Sequence, residues 1–487
     1  MFNRTLYILI CCVIAVVLSG CMLGPDYSRP DTPVLQDTKY SNVPGSWSDS
    51  MDPNGIGRWW ESFGDEATNE LVELALKNNY DLKRAAARVV ETEALYRVSF
   101  GALLPQVNYS ANRARVQTVF QSPAGRASFV NKNYMQEVRI SYVTDIFGRL
   151  KRDARAAMAD LYASRESRQA LAHSLVAQVV LARIRVATQQ RLLKTATENV
   201  DSRRSTLSVV ERRYNSGLTS SLDIHLAKEN LDSAEAAVPL IRRELNIGQH
   251  SLDVLCGRLA GSKGILSGVL PDMDEPEPVP TAFPAALLDR RPDIRAAEMQ
   301  LAASTERIGS SIAAMFPDLT LSLSGGYSSG SYRMLSATEN QIFAFFMNAA
   351  APIYRGGSLK AQVEASKARR DQQLANYAQV ILKAFEEVEN ALVSQSELYE
   401  QGEFLKLRLK EAKISEELAK QRYSVGLETI LVLLDTERRR RRAEDELSIT
   451  MGQLYSARVQ LFLALGGDWK LEEGSKVNES ETGVKDG

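Results

Sequence analysis

The sequence predicts a mainly α-helical chain, written twice, with a small β part that no single copy can close. Three observations carry that prediction. An apolar seam stepping by four and three residues runs through long stretches without proline. Landmarks of the first half recur in the second at a nearly constant offset. After Pro105, and again after Pro317, the helical period gives way to strict alternation. Composition adds only outer bounds. The 487 residues are 44% hydrophobic and 24% charged, with a formal net charge of −1. Such a balance argues against nucleic acid as a partner, because phosphate binding leaves an excess of Lys and Arg. The negative mean hydropathy excludes a polytopic helical membrane protein, but not a β-barrel, whose short alternating strands leave little trace in an average. Four cysteines and three histidines are too few for a disulfide scaffold or a rich metal site.

The repeat rests on three landmarks in one order. Leu76, Asp81 and Leu82 precede Leu288, Asp293 and Ile294 by 212 residues, and Ala102-x-x-Pro105-x-Val107 precedes Ala314-x-x-Pro317-x-Leu319 by the same distance. Arg213-Tyr214-x-x-Gly217-Leu218 returns 209 residues later as Arg422-Tyr423-x-x-Gly426-Leu427. The stretch Pro271 to Pro284, with Pro276, Pro278 and Pro280, reads as an extended linker between the halves. Each half is expected to run helix, strand, strand, long helix, turn, helix.

The long helices follow from the seam. Leu175, Val179, Ala182, Val186, Gln189, Leu193, Ala196, Val200, Arg203, Leu207, Val210 and Tyr214 keep the coiled-coil step, polar only at Gln189 and Arg203. Ile381, Phe385, Val388, Leu392 and Tyr399 continue it in the second half. Sustained heptads mean helices packed side by side. No proline falls between Gly148 and Tyr214, which allows one helix of roughly 100 Å at about 1.5 Å per residue. A bundle of shorter helices is the plainer alternative.

The strands follow from alternation. Val107, Tyr109 and Ala111 fall on one face, with Asn108, Ser110 and Asn112 on the other; Leu319, Leu321 and Leu323 alternate with Thr320, Ser322 and Ser324. Val138-x-Ile140-x-Tyr142 and the region Ile342 to Ala351 are the expected partners. Pro123-Ala124-Gly125, and Gly325-Gly326 with Ser328-Ser329-Gly330, are expected as connecting loops. An apolar face backed by small polar residues suits a lipid-facing, water-lined barrel wall, although a four-stranded sheet on a soluble core has the same pattern. Counting narrows the choice. The smallest membrane barrels have about eight strands, and an open edge cannot face lipid, where each unpaired backbone group costs several kcal/mol. Four strands per chain therefore require several copies to share one barrel. Two copies would close a barrel filled by side chains, and three could leave a channel.

The amino-terminal segment reads as an address. Arg4 supplies a positive start, Leu6 to Leu18 is almost wholly apolar, and Leu18-Ser19-Gly20-Cys21 resembles the bacterial lipobox. Residues 1–20 are then a signal peptide, and Cys21 is the site of a covalent N-acyl and diacylglycerol lipid. An ordinary signal peptide with a chance cysteine is the alternative. Residue 22 is Met rather than Asp, which by resemblance to bacterial lipoproteins implies sorting to the outer membrane.

These features meet in a family. Gly24-Pro25-Asp26-Tyr27-x-x-Pro30, Trp59-Trp60 with Phe63, Asp145-Ile146-Phe147-Gly148-Arg149, Leu287-Leu288-x-Arg290-Arg291-Pro292-Asp293-Ile294-Arg295-x-Ala297-Glu298 and Phe316-Pro317-x-Leu319 resemble the landmarks of the TolC-like outer-membrane factors. The resemblance is to their lipoprotein branch, which serves tripartite efflux pumps of the resistance-nodulation-division (RND) type. It divides the chain into a lipidated extended segment (21–58), a first repeat (59–270), a linker (271–284), a second repeat (285–470) and a polar tail (471–487). It implies a homotrimer: a shared 12-stranded β-barrel in the outer membrane, continuous with a long coiled-coil α-helical barrel in the periplasm. Transport would be passive, driven by an inner-membrane RND pump through a periplasmic adaptor. The resemblance places adaptor docking at Gly217, Leu218, Gly426 and Leu427. It places a periplasmic gate at Arg213, Tyr214, Asp223, Arg422, Tyr423, Glu428 and Asp435, where threefold symmetry would gather carboxylates around an axis. Where the family usually has Ala-Gln, this chain has Thr436-Glu437. The same architecture serving protein (type I) secretion, and a periplasmic coiled-coil scaffold lipoprotein without a pore, are the two other readings.

Other signals lead nowhere. Arg438 to Arg442 is a run of arginines, but successive helical residues point about 100° apart, so the run forms no single basic face. Glu444, Asp445 and Glu446 lie four residues beyond Arg440, Arg441 and Arg442, a set of helical ion pairs. His173, His225 and His250 are isolated, and no arrangement of nucleophile, base or cofactor ligands suggests an enzyme.

Overall fold

A computed structural model describes residues 22–30, 57–123, 125–262, 287–467 and 469–471. Cys21, the signal segment, the proline-rich linker and all but the first residue of the tail lie outside the described residues. The elements run α1 (Glu66–Asn78), α2 (Tyr80–Gly101), β1 (Gln106–Ser122), β2 (Gly125–Thr144), α3 (Arg149–Asn215), α4 (Ser221–Leu255), α5 (Pro292–Ala313), β3 (Asp318–Ser329), β4 (Gln341–Ala350), α6 (Ser358–Ser424) and α7 (Ile430–Leu465). The order helix, strand, strand, long helix, turn, helix thus occurs twice. The long helices α3 and α6 have 67 residues each. Their seams are buried: Leu175, Val179, Val186, Ala196, Val200 and Val210 in α3, and Ile381, Val388 and Leu392 in α6.

The chain divides into two compact units. Among the described residues the first comprises 22–30, 87–165 and 296–378, and the second holds the rest. The first unit contains one antiparallel sheet in the order β1-β2-β3-β4. Its register lines the side chains up in rows across the strands. Val107, Ile140, Leu323 and Phe345 share one row, and Tyr109, Val138, Gly325 and Phe343 the next. Tyr142, Leu321 and Met347 form the row on the other side of the first. The alternate rows hold Asn108, Arg139, Ser324 and Ala344, then Ser110, Glu137, Gly326 and Ile342. Over these rows, nearest Pro105, one face of the four strands is therefore apolar and the other mostly polar. Val143, Ile342, Ala344 and Phe346 are apolar residues of that second face.

Two strand expectations need correction. Gly325 and Gly326 are not loop residues but lie within β3, paired to β2 and β4. A Cβ on Gly326 would stand 2.0 Å from the carbonyl oxygen of Gln136, so glycine there permits close approach of the neighbouring strand. The connection to β4 comes later and carries the short helical turns Tyr332–Met334 and Thr338–Asn340. In addition, the β1–β2 hairpin is far longer than the alternation suggested, with pairing from Gln106↔Ser141 to Ser122↔Gly125.

The segment that follows Cys21 is fastened to this unit. Arg152, fully buried in α3, donates through Nε to the Leu23 carbonyl and through Nη2 to the Gly24 carbonyl, both at 3.2 Å. Its Nη1 pairs with Asp26 at 2.9 Å and Glu306 at 2.8 Å. Tyr27 and Arg29 both donate to the Glu298 carboxylate. A Cβ on Gly24 would lie 2.5 Å from Gly309 Cα, so the Gly24-Pro25-Asp26-Tyr27 landmark is written by this close docking.

In the second unit the Trp59-Trp60-Phe63 landmark anchors a helical turn against α7. Trp59 stacks on Phe462 at 5.3 Å, Trp60 meets Trp469 edge-on at 5.2 Å, and Phe63 meets Tyr455 at 6.1 Å. Arg291, from the arginine-proline landmark, donates to the Ala464 carbonyl at 3.0 Å and pairs with Asp293 and Glu387 at 2.8 Å. It satisfies an orphan carbonyl at the end of α7. Asn79 Oδ1 accepts from the amides of Asp81 and Leu82, which caps α2.

Candidate functional site

The two Arg-Tyr-x-x-Gly-Leu sequences end the two long helices in the same way. Gly217 and Gly426 adopt φ of 71° and 81°, the left-handed region in which a side chain costs energy. The amide of Gly217 donates to Tyr214 O at 2.8 Å and that of Leu218 to Arg213 O at 2.9 Å. Gly426 donates to Tyr423 O at 3.1 Å and Leu427 to Arg422 O at 2.9 Å. Both are Schellman caps, in which the six residues of the motif occupy consecutive cap positions and satisfy carbonyls that the helix leaves free. Ser220 and Thr429 then sit in extended conformation as N-caps of α4 and α7. Asp223, in the first turn of α4, accepts from the hydroxyls of Thr219 and Ser220, as suits a carboxylate at the positive end of a helix.

The second unit holds these turns together. Val210 of α3, Ala227 of α4, Ala419 and Tyr423 of α6, and Ile430 and Leu433 of α7 form one buried cluster. Arg213 crosses from the first repeat to the second. Its Nη1 donates to the carbonyls of Tyr423 and Ser424 at 2.9 and 3.0 Å, and its guanidinium lies 5.0 Å from the Tyr423 ring centroid. A cation thereby sits at the C-terminal end of α6, where the helix dipole favours it.

The repeats are not equivalent here. Tyr423 is 3% exposed and Tyr214 43%. Arg422, the counterpart of Arg213, is mostly exposed, and its guanidinium stands 3.7 Å from the Glu428 carboxylate. Glu428 also accepts from the Thr429 amide at 3.2 Å. Leu218 and Leu427 are 65% and 68% exposed, and Leu222, Val425 and Leu431 beside them are exposed as well. Five apolar side chains around two turns make a surface suited to a partner. A Cβ at Gly217 would meet nothing within 4 Å, and one at Gly426 would meet only the Arg213 guanidinium, at 3.5 Å. Approach from outside is open.

Asp435 stands on α7, two turns from the Arg422–Glu428 pair in sequence. Arg438 and Arg439 donate to its carboxylate at 2.5 and 2.6 Å, and these hydrogen bonds hold it below the usual carboxylate range. Its charge is thus balanced within its own helix. The rest of the arginine run pairs as the spacing implied, Arg440 with Glu444 and Arg441 with Asp445 at 2.7 Å.

One cluster was not foreseen. Glu437 is buried and accepts from Thr206 at 2.7 Å and Asn230 at 3.2 Å, while Arg203 donates to the backbone and side-chain oxygens of Asn230 at 2.6 Å. The four residues join α3, α4 and α7 through polar contacts inside an apolar seam. Burial pushes the Glu437 carboxyl up, against the opposing effects of Thr206 and Arg203. The signal was present in the sequence: Arg203 interrupts the α3 seam, and Glu437 follows Ile430 and Leu433 at seam spacing. No group of three or more residues able to hold a metal ion occurs among the described residues.

A duplicated pair of long helical hairpins, with a sheet whose apolar face and open edges need other copies, defines a TolC-like outer-membrane channel. Comparison with known proteins agrees. The family model described as "Outer membrane efflux protein" matches residues 71–258 and 283–467. The chain is 32% identical over 465 residues to the toluene efflux pump outer membrane protein TtgF of Pseudomonas putida, covering 94% of this chain and 96% of that one. It is 28% identical to the pyoverdine export outer membrane protein OpmQ of Pseudomonas putida, covering 86% and 90% of the two chains. Among solved structures, the outer-membrane channel OprN superposes with a TM-score of 0.86 at 29% identity, over 92% of this chain and 99% of that chain. The open state of the Neisseria gonorrhoeae MtrE outer membrane channel gives a TM-score of 0.80 at 26% identity, over 92% and 98%. The chain belongs to the outer membrane efflux protein family.

Proposed function

We propose that this protein is the outer-membrane exit duct of a tripartite efflux system and passes small molecules, drugs and toxic compounds among them, out of the cell. The observation that carries the reading is the sheet. Its four strands present one apolar face, and β1 and β4 each pair on one side only. Three copies supply twelve strands and satisfy every edge, leaving a water-lined lumen behind the polar face. Cys21 carries the acyl and diacylglycerol lipid that anchors each copy, and Met22 beside it packs against Gly148.

A periplasmic adaptor docks on the exposed leucines beside Gly217 and Gly426 and links the channel to an inner-membrane RND pump, which supplies the energy. Arg213, Tyr423 and the cluster beneath them hold the turns as one platform. Arg422, Tyr214, Asp223, Glu428 and Asp435 face the narrow end as gate residues. The duct itself performs no catalysis.

The experiment is a drug-susceptibility assay in a strain lacking the gene. The wild-type gene restores tolerance. Gly217→Phe with Gly426→Phe leaves trimers at wild-type amounts but does not restore it, because the added rings stand where a partner must approach. Full tolerance with both phenylalanines in place would refute docking at these turns.

A further inference from the structure

The rows of the sheet change character at one level. From the row of Thr144, Leu319 and Ala349 to that of Tyr109, Val138, Gly325 and Phe343, the outward face carries no charge. Ala111, Gln136, Tyr327 and Gln341 form the next row. The row after that begins with Arg113 opposite Tyr134, and the following one pairs Arg115 with Lys132. The opposite face changes in the reverse sense beyond this level, where Val116, Phe120 and Phe129 take the places held lower down by Asn108, Ser110 and Arg139. Such an exchange marks the edge of an apolar medium.

The height agrees. Ten residues separate Thr144 from Tyr134, which is about 33 Å at roughly 3.3 Å per residue. A strand tilt of about 40° reduces this to about 25 Å along the membrane normal, the height of the apolar band of outer-membrane barrels. Tyr134 then sits where aromatic girdles sit, with the Arg113 guanidinium 5.5 Å from its ring centroid. Charge is entirely one-sided here. Between Pro105 and Glu137 the sequence has Arg113, Arg115, Arg126 and Lys132 and no Asp or Glu. All four side chains are exposed. Arg113, Arg115 and Lys132 share the lipid-side face.

We propose that Arg113, Arg115 and Lys132 form a binding site for the phosphate groups of an anionic lipid in the leaflet remote from the helices. Arginine grips phosphate oxygens in pairs and lysine adds a point charge. Adjacent strands lie about 4.8 Å apart, so Arg115 and Lys132, directly opposite one another, close on a single phosphate. Arg113, one row down, reaches a second. The patch fits a headgroup bearing two phosphates better than one bearing one. Held in three copies around the barrel, such lipids would seal the outer rim against the surrounding leaflet.

The inference rests on the barrel reading, and the test separates the two. The full chain is purified in detergent, freed of native lipid and titrated with fluorescent bis-phosphorylated lipid A, with its dephosphorylated form and with inorganic phosphate as competitor. Single-channel conductance in phosphatidylcholine bilayers is recorded in parallel. The wild type is expected to bind the bis-phosphorylated lipid, and Arg113→Gln/Arg115→Gln/Lys132→Gln to lose about a hundredfold in affinity, roughly fivefold per charge, with conductance unchanged. Arg333→Gln, in the β3–β4 connection, keeps wild-type affinity. Should the triple variant fail to conduct, Arg115→Gln and Lys132→Gln are read singly, each with the fivefold loss. Binding within twofold of wild type in the conducting variants, equal binding of the dephosphorylated lipid, or displacement by inorganic phosphate overturns the proposal. Loss of conductance in the wild type overturns the barrel reading instead.

Discussion

Replacing Arg213 with alanine tests how the two repeats are joined at the turns. Its Nη1 makes two hydrogen bonds to carbonyls at the end of α6, and its guanidinium covers the Tyr423 ring. A charged donor to backbone carbonyls contributes about 1.5–3 kcal/mol, and the ring contact about 0.5–1 kcal/mol at a half-exposed site. Solvent screening lowers the sum, so the expected loss is about 2 kcal/mol. That is roughly 30-fold in a local opening equilibrium, at about 1.4 kcal/mol per tenfold. Amide hydrogen exchange reads it directly: Gly426 and Leu427, whose amides close the second cap, should exchange roughly 30-fold faster in Arg213→Ala. Arg422→Ala supplies the control. Its ion pair with Glu428, at 3.7 Å, is largely open to solvent and contributes under about 1 kcal/mol, so exchange at the same Gly426 and Leu427 amides should rise less than about fivefold. If Arg422→Ala loosened that turn as much as Arg213→Ala does, the asymmetry between the repeats would be refuted.

Three further outcomes are expected. Glu437 has a raised carboxyl pKa in the folded protein, so the native state holds this proton more tightly than the unfolded chain. That contribution is full below the ordinary value of 4.5 and is lost as pH rises through the raised native value. Glu437→Gln should therefore flatten the fall in thermal stability as pH rises above 4.5, as followed by circular dichroism. Arg152→Ala leaves the Glu306 carboxylate buried without its partner and should cost about 3–5 kcal/mol in denaturant unfolding, while Arg152→Met with Glu306→Leu should recover most of it. Gly217→Ala has open space but the wrong φ, and should lower the stability of its turn by only about 1–2 kcal/mol without loss of drug tolerance.

Much of this architecture was legible because period and punctuation agreed. The α3 seam and the absence of proline predicted a helix that proves continuous from Arg149 to Asn215. Pro105 and Pro317 stand immediately before β1 and β3. What stayed hidden has physical reasons. Gly325 and Gly326 read as a loop because glycine is rare inside strands, yet the neighbouring backbone leaves no room for a side chain at Gly326. The outer half of β1 and β2 escaped notice because Arg113 and Arg115 fall on the face that is apolar lower down, so a search for one apolar face ends at Ala111. The two turns have almost the same sequence, and nothing local distinguishes Tyr214 from Tyr423. The difference arises from which side of each helix meets the cluster of Val210, Ile430 and Leu433. Arg203 and Glu437 did break their seams, but only the fold shows that Asn230 and Thr206 complete the set.

The shared barrel is the claim on which the rest depends, and conductance tests it most directly. Purified full-length protein should run as a heat-modifiable trimer and form uniform single channels in planar bilayers, with the unit of activity tracking the trimer. A monomeric protein, or a trimer that never conducts, would contradict the account and favour a periplasmic scaffold without a pore.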